Sequence, residues 1–591
     1  MQNSSKDIEK FKKLGVSSRL DLALLIPKSY EDTHISKTPQ INEFNTIEVE
    51  VKSSNYGRAL LLKFYCLTWE QNLNGVVFNP RAYHKSIFKV GQRLHVRGKI
   101  EWKNGYLSIL QPQIVKEIDK IIPKYKTSLQ NKTMIALAKK YLSVEALAEE
   151  GLTKEEAKVM CDLHFLAPIV DKKILRVLKF VEIYNYIKKL KSKRRVYPAK
   201  SRLDSSEEEF IKSLPFSLTK EQQSAILDIK RDFNSGNATR RIVMGDVGSG
   251  KTIVILASVV MAYPKRAVLL VPTTILANQL YMEAKRFLPS YIKVGLVVSK
   301  TNKKESLEEC GFLIGTHALL YRDLGEIDLV MVDEQHRFGT KQRELINQLS
   351  IKDGKYPHFL QFSATPIPRT MSMIQSSLVD FSFIKETPFK KDIETRVIRK
   401  SDFKNLLAHI KGEIEEGRQV IVIYPLVEES ETIEYSSIEE ARAFWEKNFE
   451  NVYVTFGADK NKEEILENFR DNGDLLIATT LVEVGISLPK LSTIVIVGAE
   501  RLGLATLHQL RGRVSRNGLK GYCFLYTNQE KSERLDAFCS CENGFDIAEL
   551  DLKYRKGGDV LGGLRQSGEK FEFYELEEDL LVEAKRRVER T

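Results

Sequence analysis

Three hydrophobic rhythms follow one another along the chain, and each predicts a different kind of structure. Between Asn45 and Glu117, short β-rich stretches recur at Ile47-Glu-Val-Glu-Val51, Leu60-Leu-Leu-Lys-Phe64, Leu94-His-Val-Arg-Gly-Lys-Ile100 and Tyr106-Leu-Ser-Ile-Leu110. Turn residues at Asn55 to Gly57, Asn72 to Gly75 and Lys103 to Gly105 separate them. About five strands are expected, closed into a small barrel of OB type or stacked as a sandwich. From Met134 to Leu190 the spacing lengthens to threes and fours, with Leu175, Leu178, Val181, Ile183, Tyr186, Ile187 and Leu190 recurring, which predicts helices.

Beyond that point short, largely apolar runs alternate with helical patterns as far as Tyr526. The first set is Arg241 to Met244, Val268 to Val271, Phe312 to Ile314, Leu329 to Val332 and Phe359 to Phe362. The second is Val420 to Tyr424, Val452 to Val454, Leu475 to Ala478, Thr493 to Val497 and Tyr522 to Tyr526. Runs without polar alternation suit strands buried on both faces, so two parallel-sheet α/β lobes in tandem are predicted, dividing near Pro388.

Composition adds bounds rather than a function. A chain of 591 residues, 42% apolar and 29% charged, is too long for one core and has the make-up of ordinary globular protein. The net charge of +12 suits a polyanionic partner through counterion release, and equally a Lys-rich soluble surface. The run Lys188 to Arg195 can meet phosphate or simply end a helix in solvent. Cys66, Cys161, Cys310, Cys523, Cys539 and Cys541 form no CxxC pair, which argues against a zinc ribbon or a disulfide framework. The N-terminus lacks the apolar core of a signal peptide and no run reaches the roughly eighteen apolar residues of a membrane span, so a cytoplasmic location is expected.

The chemistry starts at Gly245-Asp-Val-Gly-Ser-Gly-Lys251-Thr252, which fits GxxxxGK[ST] between an apolar run and the helical pattern Ile253 to Ala262. Through Gly245, Asp246, Val247, Gly248, Ser249 and Gly250, backbone N–H groups can converge on phosphate while the helix N-terminus adds positive potential. Lys251 can reach the β- and γ-phosphates and Thr252 can ligate magnesium, so ATP and Mg²⁺ are expected. Asp333-Glu-Gln-His336 closes a predicted strand taken to neighbour the loop's own. Asp333 is suited to hold Mg²⁺ through water and Glu334 to polarise the attacking water. By itself such a pair is only a helix N-cap signal; the phosphate loop upstream favours the catalytic reading. In the second lobe Gln509-Leu-Arg-Gly-Arg513-Val-Ser-Arg516 places Arg513 and Arg516 three apart, as on one helix face. Facing a nucleotide they would neutralise the γ-phosphate; otherwise they mark a basic surface helix.

These motifs resemble the superfamily-two helicases. Asp333 to Gly339 with Gln342-Arg343, Ser363-Ala-Thr-Pro-Ile-Pro-Arg-Thr370, Tyr424 to Ser430, and Ala499 to Gly503 with His508 to Arg513 resemble the branch shared by the RecG helicases and the transcription-repair coupling factor. The resemblance implies that Leu218-Thr-Lys-Glu-Gln222 recognises adenine, with Gln222 as reader and Phe216 as a stacking ring. It assigns Thr273, Thr316 and His317 to the DNA backbone. Gly544 to Glu549, Asp551-Leu552, Arg555, Gly557 to Asp559, Leu561-Gly562 and Arg565-Gln-Ser-Gly568 resemble the branch's translocation element, which gives Arg565 and Gln566 a coupling role. A structural hairpin is the alternative. The β-rich segment resembles the wedge domain of the RecG helicases, where Phe78 and Tyr83 are candidates to stack on bases at a fork, or else core aromatics.

The expected architecture is α/β multidomain. It comprises an N-terminal helical segment at 1–44, an OB-fold wedge at 45–118 and a helical connector at 119–210. Two RecA-like lobes follow at 211–387 and 388–528, then a translocation motif with a helical segment at 529–591. The implied activity is an ATP-dependent DNA helicase that processes forks, Holliday junctions and R-loops in recombination and repair. A duplex translocase in transcription-coupled repair and a passive junction-binding protein with an inactive nucleotide site are the alternatives. Branched or duplex DNA is the implied partner of a monomer, with a single-strand-binding protein as a further candidate. Departures from the pattern are the near absence of sequence before Leu14-Gly-Val16, Ser487 where relatives carry Asp, and Thr455-Phe456-Gly457 in place of a histidine-containing string.

Overall fold

The computed structural model describes residues 5–103, 105–299, 307–364, 369–388, 392–425, 438–456, 459, 461–479, 488–515, 518–555, 571–575 and 577–590. They divide into two compact units, Met1–Lys189 with Phe571–Thr591, and Leu190–Lys570. No described helix is long and apolar enough to cross a membrane.

In the first unit β1 (Ser29–Asp32) precedes five strands, β2 (Phe44–Tyr56), β3 (Ala59–Cys66), β4 (Gln71–Phe78), β5 (Arg93–Lys103) and β6 (Tyr106–Ile114). These close a barrel in the order β2-β3-β4-β6-β5, which removes the sandwich alternative, and β7 (Ile121–Lys124) then pairs with β1. Alternate residues Ile47, Val49, Val51, Leu60, Leu62 and Phe64 fill the barrel, as a period of two requires. The expected turn at Asn72 to Gly75 is strand instead. The chain reverses earlier, before β4, where Glu70 takes φ 51°. Gly75 serves packing, because a Cβ there would lie 2.5 Å from a Phe64 ring carbon.

Helices Asn131–Tyr141, Val144–Glu149, Lys154–Phe165 and Lys172–Lys193 follow. Thr153 and Glu156 form a capping box that starts the third of them. Helix Glu578–Arg590 belongs to this unit as well. The Glu182 carboxylate accepts the N–H groups of Glu572, Phe573 and Tyr574 at 2.7, 2.8 and 2.7 Å, and Arg587 pairs with Glu156 at 2.6 Å. The basic run is partly spent within the chain, Lys188 on Glu150 at 2.7 Å and Lys189 on Asp21 at 2.6 Å.

The second unit holds two parallel sheets. The first contains β8 (Arg240–Gly245), β9 (Ala267–Leu270), β10 (Val294–Val297), β11 (Phe312–Gly315), β12 (Leu329–Asp333), β13 (His358–Ser363) and β14 (Asp380–Ile384), in the order β10-β11-β9-β12-β13-β8-β14. The second contains β15 (Ile393–Ile398), β16 (Gln419–Ile423), β17 (Val452–Thr455), β18 (Leu475–Ala478), β19 (Leu491–Val497) and β20 (Gly521–Tyr526), in the order β15-β20-β19-β16-β18-β17. Interior strands such as β9, β11 and β16 are buried at every position. The strands of these two sheets absent from the sequence-based expectation, β10, β14 and β15, are all sheet edges. An edge strand is covered on fewer sides, so runs such as Ile393-Glu-Thr-Arg-Val-Ile398 keep polar residues and lose the apolar signature.

Candidate nucleotide site and DNA-facing residues

The phosphate loop leaves β8 at Gly245 and enters helix Lys251–Ala262, which is buried from Ile253 onward and so holds its N-terminus rigidly at the loop. Gly248 and Gly250 take φ of 81° and 78°, where a side chain is strained. A Cβ on Gly250 would also fall 2.3 Å from Gln222 Nε2. Lys251 Nζ donates to the Gly245 and Asp246 carbonyls at 2.8 and 3.0 Å, so its charge already lies along the loop.

Gln222 lies beneath the same loop. Its Oε1 accepts the Thr219 N–H at 2.9 Å and its Nε2 donates to the Ser249 carbonyl at 2.8 Å, which ties the helix that starts at Lys220 to the loop backbone. Phe216 remains 42% exposed and forms a T-shaped pair with Phe287 at 6.0 Å.

Asp333 ends β12, and here the strand expectation needs correction. β13 lies between β12 and β8, so the acid pair is two strands from the loop rather than on its neighbour. The intervening strand contributes directly. Glu334 accepts the Ala364 N–H at 2.5 Å and the Ser363 hydroxyl at 3.2 Å, while its own N–H donates to the Phe362 carbonyl at 2.9 Å. Glu334 takes φ 50°, a strained value for a side chain that needs such support. Asp333 Oδ1 is buried without a protein partner. Burial pushes this carboxyl up, Glu334 adds to the effect, and Lys251 opposes it. A buried carboxylate oxygen awaiting a partner, with Thr252 at the start of the loop helix, is a hard-oxygen set that fits Mg²⁺.

Helix Leu504–Arg511 stops at Gly512, where a Cβ would fall 3.1 Å from Val247 Cβ in the phosphate loop. Arg513 therefore lies beyond the helix rather than on its face, half-buried in the turn that follows. Arg516 lies outside the described residues. Gln509 Oε1 accepts from Arg337 Nη2 at 3.2 Å, joining the second lobe to the turn after Glu334.

Two residues quoted within the second-lobe string but given no role of their own, His508 and Arg511, lie where the lobes meet, His508 bridging to the first lobe and Arg511 behind it. His508 Nε2 hydrogen-bonds Asp246 Oδ1 at 2.6 Å, and Arg511 Nη2 lies 3.2 Å from His508 Nδ1. The Arg511 guanidinium is buried over the Phe538 ring at 4.4 Å. Asp246 also accepts the Val247 and Gly544 N–H groups at 2.6 and 2.9 Å. Burial would raise its carboxyl, but His508 and these amides hold it well below the usual range. His508 sits in the string that resembles a helicase motif; its partner, 262 positions away, had no signal in sequence.

The remaining candidates divide by exposure. Thr273 caps helix Thr274–Phe287 through the Leu276 N–H at 3.3 Å, and Thr316 caps the turn His317–Tyr321 through the Ala318 N–H at 3.5 Å. They follow adjacent strands β9 and β11, and His317 beside them is exposed. Phe78 and Tyr83 are 52% and 53% exposed, outside the barrel core that Phe64 and Phe88 help to build. Arg565, Gln566, Ser487 and Gly457 lie outside the described residues, while Thr455 is buried and Phe456 half-buried.

Residues 219–374 match the DEAD/DEAH box helicase family, and 401–518 match the helicase conserved C-terminal domain. The chain is 46% identical to the ATP-dependent DNA helicase RecG of Helicobacter pylori, with 97% of this chain and 96% of the relative covered. Against the RecG of Streptococcus pneumoniae the identity is 32%, over 99% and 93%. A solved structure of RecG bound to a three-way DNA junction aligns over 100% of this chain and 84% of that one, with a TM-score of 0.57 and 26% identity. With two parallel sheets in the regions that match the two helicase models, a closed barrel earlier in the sequence, and 46% identity over 97% of the chain, the chain belongs to the RecG family of ATP-dependent DNA helicases.

Proposed function

We propose that this chain hydrolyses ATP in the cleft between its two parallel sheets and uses the cycle to move duplex and remodel branched DNA at forks and junctions. The loop amides and Lys251 bind the phosphates, Gln222 and Phe216 hold the adenine end, and Glu334 accepts a proton from the attacking water. Thr252, and Asp333 through water, would hold Mg²⁺, which would supply charge neutralisation for the bound phosphates. Arg513 and Arg516, with Gln509 beside them, stabilise charge on the γ-phosphate from the second lobe.

On the DNA side, Thr273, Thr316 and His317 follow the backbone, Phe78 and Tyr83 stack where strands part, and Arg565 with Gln566 couple lobe movement to a step. The protein acts as a cytoplasmic monomer, with a single-strand-binding protein as a further partner; family resemblance alone supports that extension. The single observation that carries the nucleotide reading is the buried Asp333 oxygen without a protein partner, close enough to Lys251 for its charge to be felt, beside a Glu334 held by two hydrogen bonds.

The test is ATP turnover and strand separation measured together on single strands, linear duplex and three- or four-way junctions. Stimulation and strand exchange greatest on junctions is expected. Duplex tracking without branch processing would favour the coupled-repair translocase, and binding without turnover a passive junction binder.

A further inference from the structure

An aspartate in a loop that gathers phosphate is out of place electrostatically, since its charge opposes the ligand. Asp246 nevertheless occupies the second position of the loop, 8% exposed, and its carboxylate, besides accepting the adjacent Val247 N–H, reaches two later segments of the chain. One oxygen meets His508, which Arg511 backs, and the other accepts the first amide of helix Gly544–Arg555. That helix is seated on the first lobe by Phe545, edge-on to Phe383 at 5.9 Å and under Lys385 Nζ at 5.2 Å.

The backbone of Asp246 is tied to the ligand side of the loop. Its carbonyl accepts Lys251 Nζ at 3.0 Å and the Ser249 N–H at 3.1 Å. A phosphate that draws Lys251 toward itself removes a donor from this carbonyl and from that of Gly245, so the peptide next to the carboxylate is the first to be released. It also brings negative charge to a carboxylate whose compensating donors are the neighbouring Val247 amide and, from beyond the first lobe, His508 and the Gly544 amide.

We infer that Asp246 is a positioning residue that transmits phosphate occupancy from Lys251 directly to the second lobe and to the seat of helix Gly544–Arg555. The inference rests on the nucleotide reading of the loop. Filling the loop makes the His508 and Gly544 donors more valuable to Asp246, which draws the second lobe and the following helix together against the first. Emptying it relaxes both. Motion of the helix is then set by the loop itself, in parallel with any contact that arginines make to the γ-phosphate.

The experiment uses the full chain on a forked DNA with Mg²⁺ and ATP, and reads base pairs separated per ATP hydrolysed. Gly544→Ala keeps the donor N–H and Gly544→Pro removes it; Asp246→Asn keeps shape and loses charge. Gly544→Pro and Asp246→Asn are each expected to lower the ratio about tenfold, with Gly544→Ala within about twofold of the unaltered chain. The double variant should fall no further than the worse single one, as two ends of one interaction require. A ratio in Gly544→Pro equal to that in Gly544→Ala overturns the inference, as do single effects that multiply in the double variant. Amide hydrogen exchange at 544–546 provides a second readout. It is expected to slow with a non-hydrolysable ATP analogue in the unaltered chain and not in Asp246→Asn; slowing in both overturns the inference. Absence of DNA-stimulated hydrolysis in the unaltered chain would instead remove the nucleotide reading beneath it.

Discussion

Tyr125 Oη hydrogen-bonds His164 Nδ1 at 2.7 Å, and the opposite nitrogen of the same ring donates to the Ala23 carbonyl at 2.9 Å. Burial holds the imidazole pKa down at about 4, so the ring is neutral near pH 7, and the carbonyl acceptor places its proton on Nε2. A lowered histidine pKa means that the unfolded chain takes up a proton first as pH falls. The stabilisation is complete above about pH 6.5 and is lost between there and about pH 4, amounting to roughly 3 kcal/mol. Denaturant midpoints of the first unit's transition across that window should fall with a steeper slope in the unaltered chain than in His164→Gln. Equal slopes would show that the ring carries no such linkage.

Gly75 gives the barrel its clearest packing test. A Cβ would lie 2.5 Å from Phe64 Cε2 and 3.1 Å from Leu62 Cβ, on the inside of a closed core. Gly75→Val is expected to cost about 1 to 3 kcal/mol through overpacking, read from the first unit's unfolding transition. Gly57→Ala at a turn, where the nearest backbone atom is 3.8 Å from the added carbon, serves as the mild comparison.

Replacing Lys251 removes the charge that lies along the phosphate loop, so Lys251→Ala should reduce ATP affinity and turnover together, turnover by about 10³-fold or more. Glu334→Gln keeps the size of a side chain held by Ser363 and Ala364 but loses its basicity. It should retain bound ATP while hydrolysis nearly stops. Filter binding and single-turnover kinetics separate the two, and near-normal hydrolysis in both variants would refute the assignment.

Gln222→Ala deletes two hydrogen bonds, one to Thr219 at the start of its own helix and one to Ser249 that sets the loop backbone. The expected result is a KM for ATP raised about tenfold, with a smaller change in kcat. An unchanged KM would mean that the glycine-rich backbone holds its shape alone.

Phe78, the last residue of β4, and Tyr83 shortly after it are each more than half exposed. If they stack on bases, Phe78→Ala and Tyr83→Ala should each weaken fork binding by about 1 to 3 kcal/mol, and binding to linear duplex by much less. Equal losses on both substrates in a fluorescence-anisotropy titration would assign the rings another task.

Much of the architecture was legible because burial on both faces writes itself into composition. Strands such as Ala267-Val-Leu-Leu270 and Gln419-Val-Ile-Val-Ile423 must be apolar nearly throughout, and a loop that gathers phosphate must carry glycines at fixed spacing. The edge strand Asp380-Phe-Ser-Phe-Ile384 carried no such mark, since half of its surroundings tolerate polar residues. Asn72 to Gly75 misled for the opposite reason: turn-forming residues were present, but Gly75 is there because Phe64 needs its space.

The sequence by itself determined which residues can bind phosphate, activate water and neutralise charge, because those capacities belong to side-chain chemistry and local spacing. Tertiary structure alone decided that β13 separates the acid pair from the loop strand and that Gly512 ends a helix before Arg513. It alone joined Asp246 to His508 and Gly544, across 262 and 298 positions. A hydrogen bond between distant segments leaves no period in a single sequence; it exists only once two sheets and the helix beyond them have packed around the same carboxylate.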